Sequence, residues 1–231
     1  MTQVFALFLS GLMGVFLPAF LFASAQQHID SSVAGILNTL SPLWTMIMGA
    51  VFFNVRFSRA AIVGIFISLM GTIVLMVSRS GGQFAGLNLY GLLIVLACGL
   101  YGLNLNYIKF KIADLGSLTI TSISVALMAP LGAVGLFGFT DFSQKLSTVP
   151  GAWNAFWFIA LLALMSTAVA VSLFNKLVKM TTPLFASSVT YIMPIVSVMW
   201  GVLDGEQLYI SHFIGMLAIL GGVYLANRKW S

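Results

Sequence analysis

The sequence predicts an all-α integral membrane protein of about eight transmembrane helices, arranged as inverted structural repeats. Three observations carry that prediction. The 231 residues are 60% hydrophobic and 6% charged, with a mean hydropathy of +1.07, whereas a soluble domain is about 25% charged. The apolar residues fall in long stretches, each near the roughly 20 residues that cross a bilayer core as a helix. The chain also contains an imperfect copy of itself. The shift that lays Pro42 on Pro194 lays Met13 on Met165, Phe22 on Phe174, Ala34 on Ala186 and Gly49 on Gly201. One deletion then brings Gly64 onto Gly215 and Gly71 onto Gly222.

The spans are residues 4–25 (α1), 31–53 (α2), 58–77 (α3), 89–107 (α4), 117–139 (α5), 154–174 (α6), 184–203 (α7) and 208–226 (α8). Barrel strands are excluded by length, being roughly 10 residues with strict alternation. Ala23-Ser24-Ala25 at the end of α1 has the small-residue form of a signal cleavage site, but Met1-Thr2-Gln3 carries no positive charge. α1 is also the counterpart of α6, so it is read as a retained span. α2 and α7 share a small and polar stripe: Gly35, Asn38, Pro42, Thr45 and Gly49 in one, Ser187, Thr190, Pro194, Ser197 and Gly201 in the other. Steps of three and four keep each stripe on one helix face. Close helix packing and cavity lining are both readings of it. Pro42 and Pro194 each remove a backbone donor inside a helix and are the expected hinge or helix-break positions.

α4 holds Tyr101, Asn104 and Tyr107 at steps of three, with Asn106 on another face and a lone Cys98 that reads as a small packing residue. Asn104 reads equally as a pore-lining amide or as a helix–helix hydrogen bond, since a buried amide in lipid needs a partner. Tyr191 lies nearer mid-membrane. Trp153, Trp157, Trp200 and Trp230 fall near predicted interfaces, as an aromatic belt does. Trp44 is deeper, where packing and binding are both open.

Basic residues set orientation. Arg56, Arg59, Lys109, Lys111, Lys176, Lys179, Arg228 and Lys229 fall in loops on the side of both termini; Arg79 and Lys145 fall on the other. Both termini are therefore expected in the cytoplasm. The repeat pairs α1 with α6, α2 with α7 and α3 with α8. The paired helices are five crossings apart, and an odd offset inverts the copies. Inverted repeats let one scaffold hold two mirror-related states, open to either side. α4 and α5 have no counterpart, so residues 1–87 read as an incomplete first repeat of three helices and 88–231 as a complete second repeat of five.

The net charge of +5 is spread over short loops and does not indicate nucleic-acid binding. No span carries a charge at its centre, where an ion or proton relay would show itself. Asp30, His28, Asp204, Glu206 and His212 lie at helix ends, with Glu206 reading as a cap. There is no phosphate-binding loop, zinc motif or hydrolase arrangement. No enzyme activity, metal or cofactor is expected.

The segment Thr190-Tyr191-Ile192-Met193-Pro194, followed by Gly201 and Asp204-Gly205-Glu206-Gln207-Leu208 and then Gly215 and Gly221-Gly222, resembles the EamA-type permeases of the drug/metabolite transporter superfamily. Thr167-Ala168-Val169-Ala170, the Lys176–Lys179 loop, Cys98-Gly99-Leu100-Tyr101-Gly102 and Pro130 fit the same pattern. Order and spacing over nearly the whole chain carry the resemblance. It implies the ten-helix drug/metabolite transporter fold, two inverted five-helix repeats with cytoplasmic ends, exporting amino acids, metabolites or drugs. Against that pattern the first two helices are missing, and Asn54 replaces the usual turn glutamate.

The function expected is secondary transport across the inner (cell) membrane by alternating access, exporting a small neutral, zwitterionic or apolar-cationic metabolite or drug. A non-transporting membrane accessory protein or a truncated transporter remnant is the alternative. The site is expected between α2, α4 and α7, lined by Asn38, Trp44, Thr45, Tyr101, Asn104, Thr190 and Tyr191. The expected partners are a small-molecule substrate and the lipid bilayer, with a homodimer allowed and no nucleic acid.

Overall fold

In lipid a backbone polar group has no water to bond, so a spanning segment satisfies itself as a helix. The computed structural model describes residues 3–29, 31–79, 89–203 and 209–227, and these are helical with short connections. α1 runs over Gln3–Gln26, α4 over Gly91–Lys111, α5 over Ser117–Phe139, α6 over Ala152–Met180 and α8 over Ile210–Asn227. These five are long and apolar enough to cross a membrane. α3 covers Arg59–Arg79. α2 and α7 are each made of pieces, Ser31–Asn38 with Ser41–Phe53, and Pro183–Ser188 with Val189–Tyr191 and Ile192–Leu203. A short helix, Phe142–Thr148, joins α5 to α6. The turn carrying Asp204 and Glu206 lies outside the described residues, as do Asp30, Arg228, Lys229, Trp230 and the side chains of Ser197 and Trp200.

Local chemistry explains the interruptions. Pro42 has no N–H and suits the first turn of a helix. α2 accordingly turns at Thr39–Leu40 and restarts at Ser41. The new turn is held by Ser41 Oγ donating to the Asn38 carbonyl at 2.8 Å. α2 ends at Asn54, whose left-handed backbone (φ 54°) sends its N–H back to the Gly49 carbonyl. α1 and α6 each contain a wider, π-type segment, Leu12–Phe16 and Leu164–Ala170. The register that lays Phe22 on Phe174 lays the start of one on the start of the other.

Three buried clusters fix the bundle. One joins Met46, Ala61, Ile65, Leu184, Tyr191 and Ile219. A second gathers Leu7, Ile108, Ile112, Ile120, Val178 and Ala186 at the N-terminal end of α1. The third packs Ala25, Ala34, Leu37, Ile94 and Cys98 at the other end of α1.

The closest helix pair is α3 with α8. Without lipid-versus-water partitioning to drive helix association, close backbone approach at small residues does that work. A Cβ at Gly71 would meet the Gly215 carbonyl at 2.8 Å and the Ile219 nitrogen at 2.8 Å. A Cβ at Gly64 would meet the Gly222 carbonyl at 2.5 Å and Ala226 Cα at 2.9 Å. Numbers rise along one helix as they fall along the other, so the pair is antiparallel. Ser68, at the middle of the seam, donates to the Ile219 carbonyl at 3.2 Å.

This seam makes a contrast between adjacent glycines. A Cβ at Gly222 meets backbone atoms, the Gly64 carbonyl at 2.5 Å and the Ser68 nitrogen at 2.6 Å, whereas one at Gly221 meets nothing within 4 Å. Gly222→Leu is expected to destabilise the detergent-solubilised protein by roughly 1–3 kcal/mol through overpacking, seen as a lower melting temperature. Gly221→Leu should melt with the parent. Equal melting of the two variants would contradict the packing described.

Candidate functional site

Six spans line a cavity of about 370 Å³. α1 contributes Ser10, Gly14, Val15 and Phe22; α2 contributes Asn38 and Ser41. α4 adds Tyr101, Asn104 and Leu105, and α5 adds Ile120, Thr121, Ser124 and Val125. Val171, Phe174 and Asn175 come from α6, Ser187 and Thr190 from α7. Every one of these side chains is uncharged.

The polar groups are held by neighbours. Ser10 Oγ donates to Asn104 Oδ1 at 2.9 Å. Ser124 Oγ donates to the Leu7 carbonyl at 2.9 Å, tying α5 to α1. Asn175 Nδ2 donates to Thr121 Oγ1 at 2.9 Å, and that hydroxyl in turn donates to the Ser117 carbonyl at 3.0 Å. Thr190 and Ser187 donate to carbonyls within their own segment, Ser187 and Leu184, at 2.8 and 2.9 Å. Phe22 and Tyr101 rings lie 6.2 Å apart, between centroids, on the wall formed by α1 and α4.

Gly14 shows why the wide segment of α1 belongs to this wall. A Cβ there would overlap the Asn104 side chain, lying 2.9 Å from its Cγ and closer still to Nδ2. The glycine leaves room for the amide. Segments of this kind interrupt the regular ladder and are often found at functional sites.

The two ends of the cavity differ. Towards the N-terminus of α1 it is sealed by Leu7, Ile108, Ile112, Ile120, Val178 and Ala186, all buried. Over this plug Lys109 Nζ donates to the Lys179 carbonyl at 2.7 Å, and Lys179 Nζ donates to the Leu115 carbonyl. The Lys179 carbonyl lies in the last turn of α6, where a cation complements the helix dipole; the Leu115 carbonyl lies in the connection between α4 and α5. α6 meets α5 mainly through its last segment, Val171–Met180. From Ala152 to Ala170 α6 has no buried residue, so the bundle is loose at that end.

Of the residues expected at the site, Asn38, Tyr101, Asn104 and Thr190 line the cavity; Trp44, Thr45 and Tyr191 do not. Thr45 is fully buried against α4: its hydroxyl donates to the Ser41 carbonyl at 2.8 Å, and its carbonyl accepts from Asn106 Nδ2 at 2.9 Å. Gly102 passes close to its backbone. Trp44 packs into the cluster around Cys98 and over Gly99. Tyr191 is fully buried, its hydroxyl donating to the Ile65 carbonyl at 3.4 Å. It sits in the tight Val189–Tyr191 turn, which has 3.0 residues per turn and carries it off the face that an α-helix would give it. The shared stripe therefore divides. Asn38, Ser187 and Thr190 reach the cavity, while Thr45 and Gly49 pack against Gly102 and Asn106 of α4.

Ser10, Thr121, Ser124 and Asn175 were not singled out by the sequence. Their signal is weak but present: two polar residues at a one-turn step among the Ser and Thr that open α5, and an amide directly after Phe174, which the repeat lays on Phe22. Both of those phenylalanines line the cavity.

Comparison with known proteins agrees with this architecture. An uncharacterized transporter of Archaeoglobus fulgidus is 26% identical over 98% of this chain and 78% of its own length. The uncharacterized inner membrane transporter YedA of Escherichia coli K12 is 26% identical over 87% of this chain, which spans only 63% of that protein. The uncharacterized transporter YetK of Bacillus subtilis is 23% identical over 98% of this chain and 69% of its own length. A solved crystal structure, 22% identical, shares the fold with a TM-score of 0.71 over 97% of this chain and 77% of the other. The EamA-like transporter family matches twice, over residues 2–77 and over 88–228. A multi-pass, all-α membrane protein with the character of a transporter and not of an enzyme, the chain belongs to the EamA-like transporter family.

Proposed function

We propose that the chain is a secondary transporter of the inner membrane that exports a small neutral, zwitterionic or apolar-cationic solute by alternating access. The observation that carries this reading is the cavity of about 370 Å³ between six spans, lined without a single charge. Pockets that bind small molecules are mostly apolar with a few placed polar groups. A multiply charged anion would need a basic clamp to offset its desolvation, which is several kcal/mol per ion even after relaxation.

Alternating access needs two ends that open in turn. The sealed plug with its two lysine bonds at one end, and the loosely packed α6 at the other, support a state closed on one side. The antiparallel α3–α8 seam supports an inverted arrangement of the repeats. Gly64 and Gly71 have sequence counterparts Gly215 and Gly222, yet Gly64 contacts Gly222 and Gly71 contacts Gly215. Such reciprocal contact is what a two-fold axis generates. The boundary between a first block, 1–87, and a second, 88–231, is supported by the two separate family matches. Both termini are assigned to the cytoplasm from the placement of basic residues.

The transport reading is tested with reconstituted protein. Proteoliposomes are loaded with a cell metabolite extract, and solutes lost to the outside are identified by mass spectrometry. Val171→Trp fills the cavity from a lining position; Val169→Trp alters an exposed one outside it. At least one uncharged, zwitterionic or cationic solute should leave parental and Val169→Trp vesicles and stay in Val171→Trp vesicles. A loss profile identical among all three and empty vesicles would refute the reading.

Orientation is read by cysteine labelling, since Cys98 is buried. In intact cells an impermeant thiol reagent should label Ser147→Cys and should reach Ser58→Cys only after permeabilisation. The reverse pattern would place the termini outside.

The lysine bonds make a further expectation. Lys109→Met removes one and should increase labelling of Ser124→Cys from the terminal side severalfold. Unchanged labelling from that side would mean the plug alone keeps this end shut.

A further inference from the structure

Resting on the cavity as the substrate site, we infer that it selects an uncharged solute bearing an amide-type pair, one hydrogen-bond acceptor and one donor, on an aromatic or aliphatic body. Two asparagines carry the inference. Both are more than nine-tenths buried, Asn104 at 8% and Asn175 at 5% exposure. Each is oriented by a neighbouring hydroxyl, and in opposite senses. Ser10 spends its proton on Asn104 Oδ1, which turns the Asn104 amide nitrogen outward over Gly14. Thr121 spends its proton on the Ser117 carbonyl, so its oxygen must accept, and Asn175 offers it Nδ2. That leaves Asn175 Oδ1 as the acceptor.

Among the described residues, neither Asn104 Nδ2 nor Asn175 Oδ1 has a protein partner, and no buried side-chain polar atom is left sealed off without one. Both residues line the cavity. Both atoms are therefore open to the cavity; a solute that covers one without pairing it leaves a buried amide atom unsatisfied, which is costly, so a ligand that supplies the partner is favoured. Asn104 asks for a carbonyl-type acceptor, Asn175 for an N–H or O–H donor. A carboxylate answers the first and repels at the second; an ammonium does the converse. Each also brings a charge to a wall that has no counter-charge. A carboxamide answers both without charge, and Phe22, Tyr101 and Phe174 offer apolar surface for its body.

Three near-isosteric probes test this on the purified full chain in nanodiscs: 2-phenylacetamide, phenylacetate and phenethylammonium. Phenylacetamide should bind at least about tenfold more tightly than either charged isostere, the loss expected when one buried hydrogen-bonding partner is mismatched. Asn104→Asp keeps the side-chain shape and removes the donor; it should weaken phenylacetamide about tenfold and strengthen phenethylammonium. Asn175→Leu should weaken phenylacetamide and phenethylammonium, which both use its acceptor, and leave phenylacetate no weaker; melting curves of the empty variants show which are folded. A charged isostere binding as tightly as the amide, or Asn104→Asp binding phenylacetamide like the parent, overturns the inference. So does a failure of phenylacetamide to bind. In that case the cavity still stands as the site if Val171→Trp retains solutes in proteoliposomes. If phenylacetamide binds equally well to Val171→Trp, the cavity itself is the wrong site.

Discussion

A bilayer core supplies no hydrogen bonds, so each break in a helix must be answered by protein or by a wetted cavity. That constraint arranges this molecule. α2 and α7 are both interrupted, and Asn38 and Thr190, at or beside the interruptions, line the cavity. The wide segment of α1 is met by Asn104 at Gly14. Irregular backbone, buried amides and the cavity therefore coincide. The rest of the bundle holds that irregular centre in place, through three apolar clusters and one glycine seam.

The polar groups around the cavity are economical. Ser10, Ser124 and Asn175 each hold one helix to another or fix a neighbour's orientation. The same groups shape the cavity. On the proposed reading, stability and recognition are carried by shared atoms, and a variant that disturbs one is expected to disturb the other. Separating the two effects needs substitutions such as Val171→Trp, which add bulk to the space without removing a hydrogen bond.

Much of this architecture is legible in the sequence. All eight expected segments are helical where described, five of them long and apolar enough to cross a membrane, and their ends fall close to the expected positions because charges and turn residues bound them. α6 is the main exception, continuing to Met180 beyond the predicted end at Phe174. The wide segments of α1 and α6 carry no mark in composition. The lining of the cavity is legible only in part. Asn38, Tyr101, Asn104 and Thr190 were singled out because they are polar residues deep in apolar helices. Thr45 has the same character, yet its hydroxyl is satisfied by the carbonyl one turn earlier, so polarity alone does not tell lining from packing. Tyr191 illustrates a second limit: helical spacing projects a face only while the helix stays α, and a tight turn intervenes at Val189–Tyr191. The contributions of α1, α5 and α6 depend on which helices become neighbours, and a repeat register says nothing of that.

The α3–α8 seam has a consequence for how the two apolar blocks can change over time. Gly64 and Gly222 occupy the same narrow gap from opposite sides, and Gly71 and Gly215 another. A carbon added on one side has no room unless the opposite backbone withdraws, and that backbone is already glycine. Compensation by a second substitution is therefore closed off along the seam. The exposed stretch of α6, where no residue is buried, is under no such restriction. Descendants of this chain should diverge freely on that outer helix while the two blocks remain locked to one another's smallest residues.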